Sequence, residues 1–112
     1  MHLKNFSLIR HAELTELSPA YDLVNTSIIL KSKEELALPL RGKKSNLSRE
    51  DLVFYFAEER LGLPSPVIRE VIGQIEAAVP AWKELIGHSF LSEEKKQAYL
   101  QLLENRCKRV GF

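Results

Sequence analysis

Ser48-Arg49-Glu50-Asp51-Leu52-Val53-Phe54-Tyr55-Phe56-Ala57-Glu58-Glu59-Arg60-Leu61-Gly62 is the stretch where this chain changes character from extended to helical. The serine oxygen can accept from the open amides of a first turn, and Glu50 and Asp51 fall where the helix dipole favours negative charge. Leu52, Val53, Phe56, Ala57 and Leu61 form one apolar face, and Gly62 is placed to end the helix.

Downstream the helical pattern continues. Ser65 followed by Pro66 reads as a cap and first turn, and Ile68, Val71, Ile72, Ile75, Val79, Trp82 and Ile86 step on by three and four residues. Pro80 lacks an amide and crowds the preceding turn, which predicts a kink or two consecutive helices. Gly87 supplies the next stop. Ser92 with Glu93 and Glu94 starts a final helix with Ala98, Tyr99, Leu102, Leu103 and Arg106 along one side, and Arg106, Lys108 and Arg109 complement its terminal carbonyls. Trp82 and Tyr99 suit either a ligand box or a core; core packing is the better account, because each helix needs one buried face.

Upstream the pattern favours extended structure. Ser7-Leu8-Ile9-Arg10 and Glu13-Leu14-Thr15-Glu16-Leu17 read as two short strands, and Ser27-Ile28-Ile29-Leu30 is β-branched at its centre. Leu36, Leu38 and Leu40 alternate with their neighbours at a period near two, with Pro39 restricting that segment to a sheet edge. Gly42-Lys43-Lys44-Ser45-Asn46 is a polar turn. The fold class expected is α+β, mainly α: short N-terminal hairpins, then a helical bundle. The boundary divides an extended subdomain, 1–47, from a helical subdomain, 48–112, within one domain.

With 112 residues, 45% apolar and 28% charged, the chain suits a soluble globular domain, and no apolar stretch approaches the ~20 residues that span a bilayer. Its start does not read as a secretory signal, so the cytoplasm is the expected compartment. The single cysteine, Cys107, forms no internal disulfide and reads as a structural or tolerated thiol. His11 and His88 have no partner at a metal-ligand spacing. A net charge of +1 supplies no general field for nucleic acid. Two local basic clusters, Lys31, Lys33, Arg41, Lys43 and Lys44, and Arg106, Lys108 and Arg109, read as solvated surface charge, since no interleaved aromatics accompany them.

The chemistry concentrates in His2-Leu3-Lys4-Asn5-Phe6 and Ser18-Pro19-Ala20-Tyr21-Asp22-Leu23. Protein kinases place a metal-binding asparagine shortly after the catalytic aspartate and a second metal-binding aspartate after a short strand pair. With Asn5 as that asparagine, the base falls immediately before Met1, and the strand pair returns Asp22 beside Asn5. An amide oxygen and a carboxylate then suit a hard cation such as Mg2+. Taken singly, each residue is as readily a turn-closing side chain.

The wording H-x-K-N-F-S and L-S-P-A-Y-D-L, in that order, resembles the HipA family of bacterial serine/threonine kinase toxins over roughly the first fifth of the chain. The resemblance implies that Asn5 and Asp22 hold Mg2+ while His2, Lys4 and Tyr21 lie beside ATP. It also implies that the base, the phosphate-covering loop, the phosphate-binding lysine and the adenine pocket belong upstream of these residues. The expectation is a C-terminal kinase fragment, a truncated gene product or an expressed piece, with no catalytic residue of its own and inactive alone. Its expected partners are the N-terminal kinase half or an antitoxin-like protein, with a protein substrate once complete, no membrane, and DNA met only indirectly. A non-catalytic interaction module derived from the kinase lobe is the alternative. DNA binding by the helical part is weaker still, because no reading helix is recognisable.

Overall fold

The computed structural model describes residues 5–21, 27–30 and 34–112. Strands β1 (Leu8–His11) and β2 (Leu14–Leu17) form an antiparallel hairpin, with Leu8 opposite Leu17 and His11 opposite Leu14. Its two-residue turn holds Ala12 at φ 52°. The amide of Ser18 donates to the Ser7 carbonyl (2.9 Å), and their hydroxyls bond at 2.9 Å, so pairing extends one step past the strands. The helical elements are α1 (Ser27–Leu30), a π-helix (Glu50–Arg60), α2 (Ser65–His88) and α3 (Glu93–Val110). The fold is therefore α+β and mainly α. Helix α2 packs on α3 and on the π-helix, and α3 also meets α1. Among the described residues, no helix is long and apolar enough to cross a membrane.

Ser48 caps as expected. Its hydroxyl accepts from the Asp51 amide (3.3 Å) and the Asp51 carboxylate accepts from the Ser48 amide (3.0 Å), the reciprocal pair of a capping box. The helix it opens is a π-helix rather than the expected α-helix, and the Leu61 amide donates to the Phe56 carbonyl five residues back (3.0 Å). The wider turn changes the phase of the side chains. Val53 is buried, while Phe56 and Leu61, which an α-helical period places on the inner face, are exposed. Gly62 ends the element at φ 63°, a left-handed conformation that glycine adopts without strain.

Five other expectations change. Residues 27–30 are a helical turn, not a strand: Arg106 donates to the Ser27 hydroxyl (3.3 Å), and packing against α3 overrides the β-branched preference. The alternating segment around Leu36–Leu40 forms no strand, only an isolated Leu40–Lys43 bridge. Pro39 offers no donor, and Arg41 and Gly42, at φ 52° and 75°, fold the chain back through a tight turn. Helix α2 begins one residue early, with Pro64 as its cap and Ser65 already helical, and it runs without interruption through Pro80. Pro80 is exposed, so solvent can satisfy the carbonyl its missing amide leaves behind. The helix passes Gly87 and stops after His88, where the Ser89 hydroxyl donates to the Ile86 carbonyl (2.7 Å).

Helix α3 keeps its expected start, with Ser92 accepting from the Lys95 amide, and it closes on Gly111 at φ 85°. The buried apolar residues are Leu47, Val53, Ile68 and Ile86. The α2 stripe is thus buried at its two ends, half-buried at Ile72, Ile75 and Val79, and exposed at Val71 and Trp82, each more than 40%.

Candidate functional site

The site begins at Asn5. It lies just before β1, is only 5% exposed, and donates from Nδ2 to the Tyr21 carbonyl at 3.4 Å. Sixteen residues separate the two in sequence. The hairpin brings them together: the Leu8–Leu17 register and the Ser7–Ser18 bonds return the chain to its starting level. Of the five residues singled out from sequence, Asn5 and Tyr21 are described and adjacent; His2, Lys4 and Asp22 lie outside the described residues. The Tyr21 side chain is 47% exposed.

Of the two ends of the Asn5 amide, Oδ1 is the one a hard cation would take. The donor chemistry of an asparagine and an aspartate next to Tyr21 fits Mg2+, which prefers oxygen and completes its shell with water and phosphate. Among the described residues there is no group of three or more His, Cys, Asp or Glu side chains disposed to hold a metal.

A second polar centre supports the segment that follows. Asp51, 1% exposed, accepts Lys43 Nζ at both carboxylate oxygens (2.9 Å each), together with the Ser48 amide and hydroxyl (3.0 Å each). Lys43 foremost, then the Ser48 amide, holds this carboxyl down to about 2, well below the usual carboxylate range. Arg41 pairs with Glu50 (3.1 Å) and stacks 5.6 Å over the Tyr55 ring. Lys44 pairs with Glu34 (3.3 Å). Lys31 and Lys33 lie outside the described residues.

The C-terminal basic cluster also turns inward. Arg109 reaches Glu35 (2.7 Å) and Asn46 (3.1 Å), Arg106 Nε lies 3.9 Å from Glu35, and Arg49 donates to the Val110 carbonyl (3.0 Å). Arg106 and Arg109 are therefore tied to the earlier chain, whereas Arg41, Lys43 and Lys44 are paired but remain on the surface, with side chains 49%, 49% and 42% exposed, and Lys108 is exposed. The sequence signal was present at Asp51, an acidic residue three positions after a capping serine, but its lysine partner lies eight residues upstream across a turn. No periodicity announces such a pair.

Hairpin, short polar turns and helical lobe make an α+β, mainly helical domain. The family model of the HipA-like C-terminal domain matches residues 1–82, well over half of the chain, and the chain belongs to that family. A comparison with curated proteins returns no match.

Proposed function

We propose that this chain is the C-terminal part of a HipA-like serine/threonine protein kinase of a toxin–antitoxin system. In this reading Asn5 and Asp22 hold Mg2+, and His2, Lys4 and Tyr21 border the ATP phosphates. The ion would neutralise phosphate charge. The chain's own part is to orient the Asn5 amide, keep it out of bulk water, and set the aspartate's segment beside it. The observation that carries the reading is the buried Asn5 amide bonded to the Tyr21 carbonyl at the root of the hairpin, next to the second motif.

Phosphoryl transfer depends on several parts acting together. The base, the phosphate loop and its lysine are not among these 112 residues, so the chain alone transfers no phosphoryl group, and the activity belongs to the protein or complex that contains them. Phosphorylation of casein or of the protein itself, measured for this chain and for a form extended upstream through an aspartate five residues before Asn5, immediately ahead of Met1, tests the reading. Activity only in the extended form, lost on Asn5→Ala, supports it; activity in the short form overturns it. The cytoplasm is the compartment this role requires.

The second reading is a non-catalytic module that binds a kinase half or an antitoxin-like protein. It is favoured by apolar surface exposed among the described residues. Leu8, Leu14 and Leu17 of the hairpin are each more than 60% exposed. Partner capture that survives Asn5→Ala, with no phosphorylation in the extended form, selects the module.

A further inference from the structure

The turn between α2 and α3 carries a protrusion and a hollow side by side. Phe90 stands fully in solvent, with a relative exposure of 109%. Next to it, between the two helices, lies a groove of about 270 Å3 lined by Trp82, Leu85, Ile86, Tyr99 and Leu103. Leu85 is 66% exposed and Trp82 41%. Most of this surface lies beyond residue 82, outside the segment matched by the family.

We propose that this face is the interface of a two-fold dimer of the chain, in which Phe90 of each copy enters the groove between α2 and α3 of the other. A two-fold interface requires one patch to be complementary to itself, so that each contact is made twice. A knob and a matching hole within a few residues of each other meet that requirement, whereas an unrelated partner needs only one of them. The groove is large enough for one phenyl ring, and its walls supply aromatic and aliphatic contacts of the kind a buried ring prefers. Glu84, Glu94 and Lys95, close to the patch in sequence, are exposed and carry both signs of charge. An ion pair between Lys83 of α2 and Glu104 of α3, 3.1 Å, spans the two helices that wall the groove.

Size sets the strength. Phe90, Leu85 and Trp82 together present on the order of 400 Å2 per copy, about half of what a standard stable interface buries on each side. The dimer is accordingly weak, forming in the micromolar range or above.

The test is light scattering and sedimentation of the full 112-residue chain from about 5 μM to about 500 μM, the range in which interfaces of this size dissociate. Trp82, the only tryptophan, is followed by fluorescence in the same samples. The expected result is a mass rising from 12.8 kDa towards twice that value, with a blue shift of Trp82 emission along the same curve. Phe90→Asp and Leu85→Glu should each abolish both changes. Because both side chains project into solvent, thermal melting of dilute protein should stay within a few degrees of the parent, so misfolding is read separately. A single-chain mass at every concentration overturns the proposal, as does parent-like association of Phe90→Asp or growth past two copies.

Discussion

Replacing Glu35 by glutamine should loosen the end of α3 by about 2 kcal/mol. Glu35 is 17% exposed at its side chain, and one oxygen accepts Arg109 at 2.7 Å while the other accepts the Leu47 amide at 3.3 Å. A hydrogen bond to a charged group contributes about 1.5–3 kcal/mol, and the partial exposure of Arg109, 29%, places this one towards the lower half. Glutamine keeps the volume and an acceptor for Leu47, but its NH2 then faces Arg109, so the charge and that hydrogen bond are removed together. With roughly 4 °C per kcal/mol for a domain of this length, the melting midpoint should fall by about 8 °C. Urea unfolding of Glu35→Gln, Arg109→Met and the double variant gives a cycle whose coupling should be about 1–2 kcal/mol. Additive single effects, or a loss below about 0.5 kcal/mol for Glu35→Gln, would refute the view that this pair fastens α3 to the loop before the π-helix.

Asp51 predicts a pH dependence. Its carboxyl ionises at about 2 when folded against 3.8 ordinarily, so its stabilisation is complete above pH 3.8 and is lost as pH falls through about 2. Asp51→Asn should therefore melt well below the parent at neutral pH, and the gap, followed by circular dichroism, should close between those two values; a constant gap would contradict the assignment. Gly111→Ala should cost about 1–2 kcal/mol in urea unfolding, since φ 85° is left-handed and the new Cβ would sit 3.4 Å from Arg49. Ile86→Ala, at a site 7% exposed, should cost about 2–4 kcal/mol by the same measurement. In the upstream-extended kinase, Asn5→Ala should abolish Mg2+-dependent nucleotide binding, read by calorimetry, while the hairpin's amide protection persists.

Local signals in the sequence carried the hairpin and the last helix well. Ser92 before Glu93 and Glu94 is a cap whose chemistry is contained within four residues, and α3 starts there. Residues 27–30 show the limit of such signals. Two isoleucines favour a strand, yet the segment is settled by α3, whose Arg106 lies 79 residues away. The π-helix escaped for a different reason: α- and π-helical turns share the same apolar residues and differ only in phase, which exposes Phe56 and buries Asp51. At the candidate site, motif order paired Asn5 with Asp22, which lies outside the described residues; the bond from Asn5 to the Tyr21 carbonyl was not foreseen, although the hairpin whose register supplies the distance was legible. The inward pairing of Lys43 and Arg109 was not legible, because charge alone does not say which side of a chain will be covered.

The bonds from α3 to the earlier chain bear on the order in which this protein takes shape. Arg49 to Val110, Asn46 and Glu35 to Arg109, and Ser27 to Arg106 span 61, 63, 74 and 79 residues. Closing loops of that length is slow relative to forming a hairpin or a helical turn. During vectorial synthesis the segment 34–47 can fasten early to Glu50 and Asp51, but its clasp on α3 closes only when the final helical turn arrives.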